Sequence, residues 1–190
     1  MKHRYIAFIF LLLSLFHIDF AQALKDSTYL KLYTLTIRDD SCGNPIDENS
    51  MWQTIVGKVV KVIDGDDIEI VMDDGQNVAV HLAGLITPDF DKPFGFEAKQ
   101  YLENAVSGKR VNVIASMSWK PITKSLIAMV SGIVRIEDKN IDINYSLIRV
   151  GLAKYAIPES YSMSDYIRCQ YERASSIAHL QKVGLWKVAP

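Results

Sequence analysis

Hydrophobic periodicity changes partway along this chain, and the change limits the folds open to it. Residues 54–63 are rich in β-branched side chains and read as a strand. From 67 to 72, Ile68, Ile70 and Met72 recur at every second position, and Asp73-Asp74-Gly75 is a hairpin turn signal. Val78, Val80 and Leu82 then alternate with Ala79 and His81. Beyond a loop holding Pro88 and Pro93, the period lengthens. Phe94, Ala98, Tyr101, Leu102, Ala105 and Val106 form the apolar stripe of a helix, with Gly108 just past its end. Two further strands are predicted at 109–114 and 126–136, then a short helix from Ile143 that stops at Gly151. A last helix carries Ile167, Tyr171, Ala174 and Ala178 on one face and closes near Gly184-Leu185-Trp186. This order predicts an α+β fold: a five-stranded OB-type β-barrel with one helix inserted after strand 3 and two C-terminal helices.

The first residues follow different rules. Lys2 and Arg4 precede a mostly apolar run of twelve residues, 5–16, and Ala21-Gln22-Ala23 supplies a small-x-small cleavage pattern. Twelve residues are too few to cross a hydrocarbon layer that needs about 20 in a helix. The expectation is a signal peptide over residues 1–23, cleaved after Ala23, and an exported product, periplasmic or secreted. An uncleaved anchor is the other reading, and His17 and Asp19 near the end of the run argue against it. Residues 24–51 alternate only briefly and contain the turn Gly43-Asn44-Pro45. They read as an N-terminal extension to a domain spanning 52–190.

Cleavage would remove two of the 21 basic and one of the 22 acidic side chains, leaving 19 against 21 and a net charge of −2. Affinity for nucleic acid rests largely on neutralising phosphates, so this balance gives no general basic surface, only room for a local one. Cys42 and Cys169 are the two cysteines. In an oxidising compartment the pair reads as one disulfide, with two unrelated buried thiols as the alternative. No H-E-x-x-H, paired C-x-x-C, P-loop or G-x-S-x-G pattern occurs, which removes support for zinc-protease, nucleotide-binding and serine-hydrolase chemistry.

A set of short motifs carries a more specific signal. These are Val62-Ile63-Asp64-Gly65-Asp66, the segment from His81 to Asp89, Gly95-Phe96-Glu97-Ala98, Asn144 with the run from Leu147 to Ala153, Tyr171-Glu172-Arg173-Ala174, and Gly184-Leu185-Trp186. In order and spacing they resemble the thermonuclease (staphylococcal-nuclease-like) family. That resemblance implies a calcium-dependent phosphodiesterase acting on DNA and RNA. In the family two aspartates and a backbone carbonyl hold the ion, a glutamate activates water, and two arginines meet the charged transition state. Calcium requires several oxygen ligands, and a phosphoryl transition state needs fixed cations beside its equatorial oxygens.

Carried over residue by residue, the pattern is incomplete. Asp66 takes the first metal position and Thr87 the carbonyl position, but the second metal aspartate falls on Ile86. The base falls on Asp89, one methylene shorter than glutamate. The first arginine falls on His81. The second falls on Ser125, with Lys124 one residue away. Asp67 could supply a replacement oxygen for a metal. Each of these residues also has an ordinary reading: Asp64 to Asp67 as a tight turn, His81 as a half-buried strand residue, Asp89 as a turn residue. Calcium is therefore expected to bind weakly or not at all. Three functions stay open: a catalytically degenerate binding module for nucleic acid or a protein partner, an active divergent nuclease, and a structural protein. A monomer is the expected state.

Overall fold

The computed structural model describes residues 42–43, 52–116, 128–156 and 163–188, all within one unit, Asp39–Pro190. The leader, most of the 24–51 extension and the Lys124/Ser125 turn lie outside the described residues. Among the described residues no helix is long and apolar enough to cross a membrane.

Eight strands are numbered in chain order: β1 Trp52–Val62, β2 Asp67–Met72, β3 Asn77–Leu82, β4 Leu85–Ile86, β5 Arg110–Ser116, β6 Ala128–Ile136, β7 Ile141–Asp142 and β8 Lys154–Tyr155. β1 pairs antiparallel with β2 and β5, β2 with β3, and β5 with β6. A parallel pairing of β3 with β6 closes the ring. The result is a closed, mixed, five-stranded barrel of the OB type, as the sequence predicts. Its interior is filled by the alternating residues: Ile68, Ile70, Val80, Leu82, Val111, Val113 and Val134 are all fully buried. The register of β1 shifts at Val60, which is left out of the ladder and stands half exposed.

Helix α1, Gly95–Val106, follows β3 and β4, and lays Ala98, Leu102 and Val106 on the barrel with no exposure. Two helices end the domain, α2 Ile143–Arg149 and α3 Asp165–Leu180, followed by a 3-10 turn, Gly184–Val188. Asn144 explains why α2 sits where it does. Its buried side chain accepts from Val134 N–H at 3.0 Å and donates to the carbonyls of Ala83 (2.8 Å) and Gly132 (3.1 Å). One residue thus satisfies three backbone groups that burial would otherwise leave orphaned. Asp142 caps α2 through Tyr145 N–H and also receives the Tyr171 hydroxyl of α3 at 3.1 Å, so the two helices are joined by a polar tie as well as by packing.

The closing Gly-Leu-Trp segment has an equally specific cause. Gly151 and Gly184 both have positive φ, and a Cβ on Gly184 would lie 2.1 Å from the Gly151 carbonyl, which accepts from Leu185 N–H at 2.8 Å. Only glycine permits that approach. Cys42 and Cys169 form a disulfide with Cα atoms 5.7 Å apart, tying residue 42 to α3. Three strands were not expected: β4 and β8 pair with one another, and β7 pairs antiparallel with the end of β6. Each is two residues long, too short for alternation to register.

Candidate functional site

The turn from β1 into β2 holds the carboxylates. Asp64 Oδ1 accepts from the backbone N–H groups of Asp66 (3.1 Å) and Asp67 (2.9 Å), so this aspartate is consumed in shaping the turn. Gly65 is required by close approach. A Cβ there would lie 2.6 Å from Thr87 Oγ1 and 3.0 Å from Ala98 Cβ, so the turn is wedged between the β4 region and α1. The Asp66 carbonyl accepts from Leu82 N–H at 2.7 Å, and its side-chain Oδ2 accepts from Thr87 N–H at 3.0 Å. What Thr87 presents to Asp66 is thus a donor.

Asp67 and His81 are register partners across the β2–β3 hairpin, which places their side chains on one face. His81 Nδ1 and Asp67 Oδ1 lie 2.7 Å apart, and the two side chains are 41% and 22% exposed. Among the described residues, Asp66, Asp67 and His81 offer ligand atoms within 4.8 Å of one another. Asp89 stands apart from that group. It is exposed, and its carbonyl closes a turn by accepting from Lys92 N–H at 2.9 Å. Ile86 is 58% exposed and pairs with Lys154. Nearby in the chain, Phe90 and Phe96 meet edge to face at 5.8 Å, both more than half exposed, with Lys99 Nζ 5.7 Å from the Phe90 ring centre.

Electrostatics divides the cluster. Burial is the main cause that pushes the Asp66 carboxyl up to about 6; the Thr87 N–H opposes it, and neighbouring Asp64 adds to it. His81 is raised chiefly by its hydrogen bond to Asp67, against a smaller opposing effect of burial. When His81 is protonated, Asp67 lies against it and the two charges balance locally.

These shifts fix a pH dependence. A carboxyl that titrates higher when folded binds its proton more tightly in the native state, so folding weakens as pH climbs from 3.8 through about 6. The raised imidazole acts in the same direction: its contribution is complete below 6.5 and is lost as pH rises through the folded value. Asp66→Asn keeps an oxygen for Thr87 N–H and removes the first of these dependences. Relative to the parent, its melting temperature is expected to vary less between pH 4 and 6. At pH 7 it should be more stable by about 1 kcal/mol, a figure reduced for the solvent that still reaches the group. Parallel melting curves for the two proteins over pH 4 to 7 would refute this assignment.

Calcium takes six to eight oxygens; here one Asp66 oxygen accepts from an amide, one Asp67 oxygen is bonded to an imidazole, and the Ile86 side chain is hydrocarbon. Lys124 and Ser125 lie outside the described residues. The Asp67–His81 pairing escaped sequence reasoning although its signal was present, because the two residues are equidistant from Asp74 at the hairpin tip. A family model described as staphylococcal nuclease homologue matches residues 79–188. No curated protein matches the chain.

Proposed function

This chain belongs to the staphylococcal nuclease homologue family, and on that premise we propose that it is an exported, catalytically degenerate member that uses the barrel to bind rather than to cleave. One observation supports the reading: Ile86 and His81, at positions that the resemblance assigns to ion and phosphate, are poorly suited to those tasks, while the barrel that carries them is formed. Ile86 cannot ligate a cation. His81 stands where an arginine would meet the phosphate, yet its charge is already matched by Asp67. A cation neutralised in this way adds little to a dianionic transition state, which gains most from unpaired, bidentate donors. Domains of this family bind nucleic acid, and the exposed Phe90 and Phe96 rings next to Lys99 offer a stacking surface with a cation beside it. The Cys42–Cys169 bridge supports an oxidising destination after cleavage at Ala23. A peptide or another envelope protein is the alternative ligand.

The test is a titration of the chain from residue 24 onward into end-labelled single-stranded oligonucleotide, followed by fluorescence anisotropy, with the strand recovered on a denaturing gel. The expected result is saturable binding with the strand still full length. Flat anisotropy would rule out nucleic acid and leave the protein ligands. An active divergent nuclease using Asp66, Asp89 and a rearranged set of cations is the second reading, favoured by the closeness of the Asp66, Asp67 and His81 ligand atoms.

A further inference from the structure

The calcium of the family and the side chains present here disagree in a specific way, and the disagreement points to another ion. We propose that Asp66, Asp67 and His81 form a site for an imidazole-accepting divalent cation of the zinc class, and that this site rejects calcium. The three ligand atoms come within 4.8 Å of one another because the backbone places them there. Asp67 and His81 face each other in the β2–β3 register, and Asp66 is fixed at both ends, its carbonyl by Leu82 N–H and its Oδ2 by Thr87 N–H. Asp64 holds the turn through two amides. The site is therefore shaped before any ion arrives.

The donor types set the selectivity. Imidazole nitrogen and carboxylate oxygen are both ligand types that zinc accepts, and three such ligands leave a fourth tetrahedral position to water. Nitrogen ligands favour the later first-row divalent ions, whereas calcium needs many hard oxygens at 2.3–2.6 Å. Ile86, exposed where a second ligating carboxylate would be needed for calcium, supplies none. His81 Nδ1 and Asp67 Oδ1, now 2.7 Å apart, share a proton. An ion with bonds of about 2.0–2.1 Å would replace that proton and part the two atoms to roughly 3.3 Å, the edge of a tetrahedron of that size. Both side chains are partly exposed, so a small rotation accomplishes this, and the ion can enter from solvent. The displaced proton passes to buffer, so binding is accompanied by proton release.

Isothermal titration of the chain from residue 24 onward, with zinc chloride alone and with calcium chloride alone, tests this. The readout is independent of whether the protein cleaves or retains a nucleic acid, so it can fail while the binding-module reading stands, and the reverse. Zinc is expected to bind with one-to-one stoichiometry and buffer-dependent heat, and calcium to give no saturation up to about 1 mM, the weak end of protein calcium sites. His81→Ala removes a direct ligand and should weaken zinc by at least the roughly tenfold that loss of an outer-shell partner brings. Circular dichroism establishes that the variant is folded, and Asp67→Asn provides a second, nearly isosteric removal of a ligand. Calcium binding as tight as zinc, or zinc affinity unchanged in both variants, would overturn the proposal.

Discussion

Changing His81→Arg, Ile86→Asp, Asp89→Glu and Ser125→Arg together is expected to raise calcium-dependent cleavage of DNA and RNA by about 10²–10³-fold over the parent chain. The size follows from the parts replaced. An arginine at a phosphoryl transition state is worth roughly 10³–10⁵ in rate, and one oriented donor about 10²–10³, but such effects do not add. The lower figure is appropriate because the recipient site is only partly adapted. An arginine at 81 would face Asp67 across the hairpin and be partly neutralised, as the histidine is now. In favour of the gain, Asp66 is already pinned by Thr87 N–H and the Asp64 turn is formed. A parallel set with Lys124→Arg in place of Ser125→Arg covers the neighbouring register. Cleavage at the parent level in both sets would mean that the altered positions do not form one site.

Removing the disulfide should have the largest effect on stability. The bridge closes 127 residues, and the chain-entropy relation assigns a loop of that length roughly 4–5 kcal/mol through its restriction of the unfolded state. Cys42→Ser with Cys169→Ser, or reduction of the parent, is therefore expected to lower the melting temperature by about 10–15 °C. α3 should stay on the domain without it, because Ile167, Tyr171, Ala174 and Ala178 remain buried and Tyr171 keeps its bonds to Asp142. Calorimetric scans with and without reductant measure the difference. Coincident transitions would show that the tether adds nothing to the folded domain.

The barrel was legible wherever a side-chain period ran for several residues. The alternation of Ile68 and Ile70 with Val78, Val80 and Leu82, joined by Asp73-Asp74-Gly75, is the β2–β3 hairpin that forms. The stripe from Ala98 to Val106 is α1, although Phe94 is the left-handed residue before the helix and not part of it. Features that depend on contacts distant in sequence were not legible. The two-residue β4–β8 pair and the polar work of Asn144 join residues about 60 to 70 apart in the chain, and the bulge at Val60 is a one-residue irregularity that β-branched composition does not mark. At the site, sequence supplied only candidate positions; it did not show that His81 is tied to Asp67, that Asp89 faces solvent, or that Thr87 turns its N–H to Asp66. Those three facts come from register and turn geometry, which no short stretch of sequence encodes by itself.

The most direct measurement is a cleavage assay on the unaltered chain from residue 24 onward, with single- and double-stranded DNA and with RNA, in calcium and in chelator. Product no greater than in a heat-killed control is expected under either condition. Calcium-dependent cleavage that disappears in Asp89→Ala would contradict it.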